Sequence, residues 1–117
     1  MTEPIFPPPV LERESDLVTY CAAVAERMGA YLMHVGQRKA KGSGTTVGYP
    51  DLTLVCAGHV VLIEVKRLKV KGEPGGRLSV GQEAVITKCA SQGVKVHVVD
   101  TLPDFIAIVN ACRRCAP

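Results

Sequence analysis

Three charged residues are spaced so that they could bind a metal ion and a phosphate group. Asp51 opens a short apolar run, and Glu64 and Lys66 close a second one. If the second run is a β-strand, Glu64 and Lys66 project from the same face, because side chains alternate along a strand. Glu64 follows four apolar residues, so we expect its carboxylate to be shielded. A shielded carboxylate is normally paired or holds a metal ion.

A hairpin would bring these three residues together. The link between the two runs, residues 57–59 (Ala-Gly-His), suits a tight turn. With a turn there, the numbers of facing residues sum to about 116, which sets Asp51 opposite Val65. Paired carboxylates suit Mg²⁺ or Mn²⁺, and a neighbouring lysine can orient a water or stabilise charge on a phosphate. The spacing therefore predicts metal-assisted phosphate chemistry at one end of the hairpin.

The remaining elements follow from periodicity and capping signals. Apolar residues at steps of four, three and four predict a helix over 11–28, and Ser79 with Gln82 predicts a capping box at the start of a second helix. The complete prediction is helices over 11–28, 79–91 and 103–114, and strands over 30–35, 52–56, 60–65 and 94–99, the last with Val94, Val96 and Val98 on its buried side. This order predicts a mixed α/β domain, with a helix crossing over from the hairpin to the last strand.

Length and composition indicate one domain with an aliphatic core. Of the 117 residues, 47% are apolar and 21% charged, which is ordinary for a globular protein and argues against disorder. Residues 1–10 hold four of the eight prolines and predict an extended arm, so the domain is expected over 11–117. We find no secretory signal and no apolar run that could span a bilayer, and we expect a cytoplasmic, intracellular protein (in the host cell cytoplasm if it is viral).

The five cysteines are scattered and odd in number, so we expect most of them to be small buried hydrophobes. Cys112-x-x-Cys115 has the spacing of a zinc-binding pair. A structural zinc site needs four ligands, however, and no second pair has matching spacing. Zinc is therefore not expected, and His59 is expected to be exposed in the hairpin turn and uninvolved.

Positive charge is concentrated around the predicted metal site. Residues 36–77 hold eight basic and three acidic residues, whereas the rest of the chain holds six basic and eight acidic ones. Such basic, Gly-rich loops suit a phosphate backbone and predict salt-sensitive DNA binding. The candidate nucleic-acid contacts are Arg38, Lys39, Lys41, Arg67, Lys69, Lys71 and Arg77.

Pro-Asp, twelve residues and then Glu-x-Lys resembles the PD-(D/E)xK nuclease signature. The flanking residues narrow the resemblance to the VRR-NUC (virus-type replication-repair nuclease) domain, in its stand-alone, phage-type form, over about residues 12–99. They are Gly48-Tyr49-Pro50-Asp51, Glu64-Val65-Lys66, Gly76-Arg77-Leu78-Ser79 and Gln82. The resemblance implies a restriction-endonuclease-like core, in which a mixed sheet with a central hairpin is flanked by helices.

The resemblance also implies roles for individual residues. Asp51 and Glu64 would be ligands of Mg²⁺ or Mn²⁺, with the Val65 carbonyl as a possible third, and Lys66 would be the catalytic lysine. Gln82 would point at the site from its helix. Capping Ser79 is its rival role, and we expect it to serve one or the other.

Two further implications concern the surroundings of the site. The family also has a glutamate on its first helix that contributes to the metal site; Glu14 is the first candidate and Glu12 the alternative. Tyr49 stands where the family often has a smaller apolar residue, which affects the shape of the pocket.

The expected function is that of a metal-dependent endonuclease acting on branched DNA in repair, as a homodimeric four-way (Holliday) junction resolvase. The alternatives are a less selective flap or nicking nuclease, a non-catalytic nucleic-acid-binding module, and a small-molecule phosphohydrolase. The basic loops count against the last, and the intact Asp51, Glu64 and Lys66 set counts against the non-catalytic module.

Overall fold

A four-stranded mixed sheet with helices packed against it forms the protein. The computed structural model describes residues 14–34, 48–66 and 78–115. In chain order the elements are α1 (Glu14–Arg27), β1 (Tyr31–His34), β2 (Leu52–Cys56), β3 (His59–Val65), α2 (Val80–Ser91), β4 (Val96–Val99) and α3 (Leu102–Arg114). The strand order is β1-β2-β3-β4, antiparallel up to β3 and parallel between β3 and β4. The predicted fold class and the crossover through α2 are thus confirmed.

The hairpin of β2 and β3 sets the register on which the candidate site depends. Its loop has two residues, Ala57 and Gly58, both with positive φ (51° and 84°), as in a type I′ turn. Cys56 faces His59 and Leu52 faces Ile63, so facing numbers sum to 115. The register is one residue away from the predicted value, because His59 begins β3 instead of belonging to the turn. Continuing the register past Leu52 sets Asp51 opposite Glu64.

Helices α1 and α3 cover one face of the sheet. Their apolar residues recur every three or four positions, which places them on one stripe of each helix. The buried residues are Leu17, Cys21, Val24 and Ala25 on α1, and Leu102, Phe105, Val109 and Cys112 on α3. They pack with Leu52, Leu54, Ile63 and Val65 of the hairpin into a core in which Phe105 is the one fully buried aromatic among the described residues. The expected aliphatic core is therefore present.

The last strand differs from its prediction. β4 begins at Val96, two residues late, and Val98 is 46% exposed while Val99 is buried. Val98 pairs in register with Glu64, and Val99 pairs with Val65, so the two valines project from opposite faces. The face of Val99 is covered by the core, and that of Val98 is partly open. The expected burial therefore holds at Val96 and is wrong at Val94 and Val98, which are both 46% exposed.

Other features of the chain agree with expectation within the described residues. The cysteines are free thiols, and Cys21, Cys56 and Cys112 are buried. No helix in these residues is both long and apolar enough to cross a membrane. The expected arm over residues 1–10 and the first residues of the helix predicted from residue 11 lie outside the described part of the chain.

Candidate active site

Asp51 is held at the open end of the hairpin by a backbone contact. It directly precedes β2, and its Oδ2 atom accepts a hydrogen bond from the backbone N–H of Val65 at 3.0 Å. This bond fixes the carboxylate beside the end of β3, one residue from Glu64. The predicted meeting of Asp51 with the Glu64–Lys66 segment is present in the structure.

Glu64 is a buried carboxylate that has a hydrogen-bond donor and a cation as partners. Only 1% of the residue is exposed, as the apolar run before it predicts. Its Oε1 atom accepts a hydrogen bond from Nε2 of Gln82 at 2.7 Å and lies 3.9 Å from Nζ of Lys66. A buried charge is stable only when it is paired and hydrogen-bonded. Gln82 and Lys66 therefore offset part of the cost of burying this carboxylate.

Gln82 serves the helix and the site at the same time. Its Oε1 atom accepts from the backbone N–H of Ser79 at 2.8 Å, and Ser79 Oγ accepts from the backbone N–H of Gln82 at 3.1 Å. This is the predicted capping box. The expectation that Gln82 serves one role or the other was wrong, because its amide has an acceptor and a donor on separate atoms. The Glu64 carboxylate can only accept and the Ser79 N–H can only donate, so these two partners fix the positions of the amide nitrogen and the amide oxygen of Gln82.

Gly48 sets the distance between α2 and the segment that carries Asp51. Its φ is +85°, and a Cβ atom built on it would lie 2.3 Å from the backbone carbon and oxygen of Gly81 and 2.6 Å from the nitrogen of Gln82. The backbones touch directly, so no side chain fits here. The glycine of the Gly-Tyr-Pro-Asp motif thus packs against the first turn of the helix that presents Gln82.

The donor set of the site fits a hard divalent cation. Asp51 and Glu64 supply carboxylate oxygens, and the backbone carbonyl of Val65 lies between Glu64 and Lys66 in the chain. Oxygen ligands of this kind suit Mg²⁺ and Mn²⁺. Within residues 14–34, 48–66 and 78–115 there is no group of three His, Cys, Asp or Glu side chains that could hold an ion. The described part of the chain therefore supplies two candidate acidic ligands, Asp51 and Glu64.

The predicted third acidic ligand and the predicted DNA contacts lie beyond what the structure describes. Glu14 is the first residue of α1, but its side chain is outside the described part, as is Glu12. The same holds for Arg38, Lys39, Lys41, Arg67, Lys69, Lys71 and Arg77. Their roles remain predictions. Tyr49, in the motif, is half-buried.

Two groups that shape the site were not predicted in these roles from the sequence. The backbone N–H of Val65 donates to the Asp51 carboxylate, and Gly48 allows the backbone of α2 to approach closely. A hairpin register drawn through Asp51 could have indicated the first, because a carboxylate beside a strand end finds unpaired N–H groups. The role of Gly48 has no local sequence signal beyond the glycine itself, because it depends on the position of a helix whose contacting residue, Gly81, comes 33 residues later.

Comparisons with known proteins agree on one domain type. The sequence matches the VRR-NUC domain family over residues 10–107. A solved structure entitled "VRR_NUC domain" is similar with a TM-score of 0.58 and 17% sequence identity, over 83% of this chain and 94% of the other. At this identity, the likeness shows the fold. No curated protein matches the chain.

Proposed function

Because the chain belongs to the VRR-NUC domain family, which implies a nuclease of the PD-(D/E)xK type, we propose that it hydrolyses phosphodiester bonds in DNA with Mg²⁺ or Mn²⁺ as cofactor. The observation that carries the proposal is the buried Glu64 carboxylate, bound by Gln82 and Lys66 next to Asp51. A purely structural strand would place an apolar residue at this buried position. Burying charged residues such as Glu64 and Lys66 costs free energy, and a role in metal-assisted hydrolysis would account for their presence.

Each residue of the candidate site has a proposed role that follows from its chemistry. Asp51, Glu64 and the Val65 carbonyl would hold the ion, with Glu14 or Glu12 as a further candidate. When bound, the ion supplies polarisation of the phosphoryl oxygen and a lower pKa for its water. Gln82 would be a positioning residue, because its amide nitrogen donates to Glu64 while its amide oxygen accepts from the backbone N–H of Ser79.

Lys66 has a role that its surroundings favour. Its residue is only 9% exposed, and its ammonium group lies 3.9 Å from a Glu64 oxygen. A cation that is shielded from water acts on a neighbouring phosphate more strongly than one at the surface. We propose that Lys66 orients the attacking water and stabilises the charge that develops on the phosphate. No covalent intermediate is needed.

We propose four-way junction DNA as the substrate and a homodimer as the active form. The described residues form one candidate site, whereas symmetric cutting of a junction needs two sites related by a two-fold axis. The concentration of basic residues in 36–77 supports binding to a nucleic-acid backbone. A flap or nicking nuclease would use the same catalytic residues and is separated from a resolvase by its products.

A cleavage panel tests this proposal. Labelled four-way junction, flap, nicked and linear DNA are incubated with the protein in Mg²⁺ and in Mn²⁺, and the products are mapped on sequencing gels. We expect paired, symmetric nicks in the junction, and a dimer by light scattering. Single nicks or flap removal would favour the less selective nuclease. If all four DNAs stay intact in both metals, the proposed activity is wrong.

Matched lysine variants test the site itself. Lys66→Met should lower the cleavage rate at least about 100-fold, which is the lower range for loss of an acid, base or charge-stabilising group. Lys88→Met is the control, because Lys88 is an exposed lysine in the last turn of α2. Equal rates in the two variants, with both folded by circular dichroism, would remove Lys66 from the mechanism.

A further inference from the structure

Strand β1 forms one edge of the sheet, and among the described strands it pairs with β2 alone. An edge strand presents unpaired N–H and C=O groups, which proteins usually protect with lysine, proline, a bulge or a covering helix. β1 reads Tyr-Leu-Met-His and holds no lysine, arginine, aspartate, glutamate or proline. The opposite edge strand, β4, is flanked by Lys95 and Asp100. Of the two edges, β1 is therefore the one suited to pairing with another strand.

Two large apolar side chains of β1 are exposed to solvent. Tyr31 is 63% exposed and Met33 is 38% exposed, whereas Leu32 between them packs partly against the core. Because side chains alternate along a strand, Tyr31 and Met33 project from one face of the sheet and Leu32 from the other. An exposed apolar strand at the edge of a sheet marks either an interaction site or a liability to aggregation.

A second copy of the chain is the partner that suits this edge. A surface of one charge sign repels its own copy across a two-fold axis, and β1 carries no such charge. DNA is a polyanion and would find no lysine or arginine on Tyr31–His34. Residues 1–10 of the same chain are a poor strand partner, because four of them are prolines, which lack the N–H.

Two-fold symmetry restricts how two β1 strands can pair. An axis perpendicular to the sheet keeps each face of the sheet on the same side in both copies, so one residue must face its own equivalent. With Leu32 at the axis, Tyr31 faces Met33 of the partner subunit. The two exposed side chains then cover each other, and a methionine sulfur beside an aromatic ring is a favourable contact. This register involves residues 30–34, all within the described part of the chain.

We propose that the homodimer forms by antiparallel pairing of two β1 strands centred on Leu32, so that two four-stranded sheets join into one sheet of eight strands. The pairing rests on the proposed function for the number of chains, and it adds the surface through which they meet.

This pairing would place both candidate active sites on one face of the joined sheet. Met33 aligns with Leu62 across β2, and Glu64 is two residues beyond Leu62, so all three project from the same face. Leu32 aligns with Val61, which sets Glu64 two strands and three residues away from the axis position. At the spacings of a flat sheet, the two Glu64 residues would be separated by about 30 Å. One DNA junction bound on that face could therefore contact both sites.

The oligomeric state tests the interface without DNA or metal. We expect the unchanged chain to sediment as a dimer at concentrations up to about 100 µM, because an interface of a few strand residues is small. Tyr31→Lys and Met33→Lys each add an edge lysine and should be monomeric where the unchanged chain is a dimer. Val60→Lys is the matched control, because Val60 is 69% exposed on the same face but lies on the inner strand β3. It should stay a dimer, and circular dichroism checks that all variants are folded.

Cysteine cross-linking tests the register. Cys115→Ser first removes the exposed native thiol. In this background, Leu32→Cys should form a disulfide-linked dimer on oxidation, because facing Cα atoms lie about 4.5–5.5 Å apart. Tyr31→Cys combined with Met33→Cys should also cross-link. Either of these two alone should cross-link much less, because its equivalent then lies diagonally, about 7–8 Å away, beyond the usual span of a disulfide.

The outcomes separate this interface from the nuclease activity. Asp51→Ala should lose cleavage and keep the dimer, whereas Tyr31→Lys should keep single nicks and lose paired cuts. A dimer that cleaves no DNA would support the interface and overturn only the activity. The interface is wrong if the unchanged chain is a monomer, if both lysine variants of β1 stay dimeric, or if Val60→Lys also dissociates. A dimer that cross-links through Tyr31→Cys alone, and not through Leu32→Cys, would overturn the register.

Discussion

Replacing Gly48 by alanine tests whether close backbone contact holds the site together. Gly48 and Gly93 have nearly the same φ, +85° and +81°, but a Cβ atom on Gly93 meets nothing within 4 Å. Gly93→Ala should therefore cost only the left-handed backbone penalty, about 1–2 kcal/mol. Gly48→Ala carries that penalty and an overpacking cost of about 1–3 kcal/mol. We expect it to lower the free energy of unfolding by about 2–5 kcal/mol in total.

The geometry also predicts a loss of activity in Gly48→Ala. The new methyl group would lie 2.3 Å from Gly81 backbone atoms, whereas carbon atoms pack at about 3.5–4.0 Å, so the first turn of α2 must move by more than about 1 Å. The 2.7 Å bond from Gln82 to Glu64 would then leave the range of a good hydrogen bond. We expect cleavage to fall by about 10–100-fold, with Gly93→Ala as the control. Urea unfolding and single-turnover cleavage measure the two effects. Equal stability and equal rates in both variants would refute the reasoning.

Three further perturbations have expected outcomes. Gln82→Glu keeps an acceptor for the helix cap but places a second carboxylate against Glu64. The cleavage rate should therefore fall about 10–100-fold, and an unchanged rate would exclude the positioning role of Gln82. Ala57→Asn should raise the urea-unfolding free energy by about 0.5–1 kcal/mol, because asparagine tolerates the left-handed turn position better than alanine; a loss would contradict the type I′ turn. Burial raises the pKa of Cys21 from 9.0 to about 12. The unfolded thiol therefore ionises first, and its contribution to stability is lost as pH rises from 9 toward 12. Between pH 8 and pH 10 the unchanged chain should lose about 1.4 kcal/mol more than Cys21→Ala, and equal losses would contradict this.

Features with local causes were predictable from the sequence. The capping box at Ser79 and the hairpin between the two apolar runs each depend on a few adjacent residues. Because the hairpin fixes the pairing, the meeting of Asp51 with Glu64 and Lys66 followed from these local features. The error of one residue in register arose at His59, which no local signal assigns to either the turn or the strand.

Features that depend on tertiary placement were not predictable in the same way. Val98 is exposed because the helices leave part of one face of β4 open, and an alternating valine pattern carries no information on that. The double role of Gln82 depends on α2 beginning beside the end of β3. His59 was expected to be exposed, but it is half-buried, and its Nε2 atom lies 2.9 Å from the backbone oxygen of Cys115, 56 positions away.

The amide of Gln82 has a consequence for hydrogen exchange and local unfolding. Helix ends ordinarily fray at little cost to the rest of a protein. Here, the amide that closes the first turn of α2 also donates a hydrogen bond to Glu64, so fraying that displaces the Gln82 side chain removes that hydrogen bond as well. The linkage is reciprocal: whatever stabilises the oriented Glu64 also slows the opening of that turn. The backbone N–H of Glu83 donates to the Ser79 carbonyl at 2.9 Å in the same turn. Its hydrogen-exchange rate therefore reports how often this turn opens and the hydrogen bond from Gln82 to Glu64 is lost.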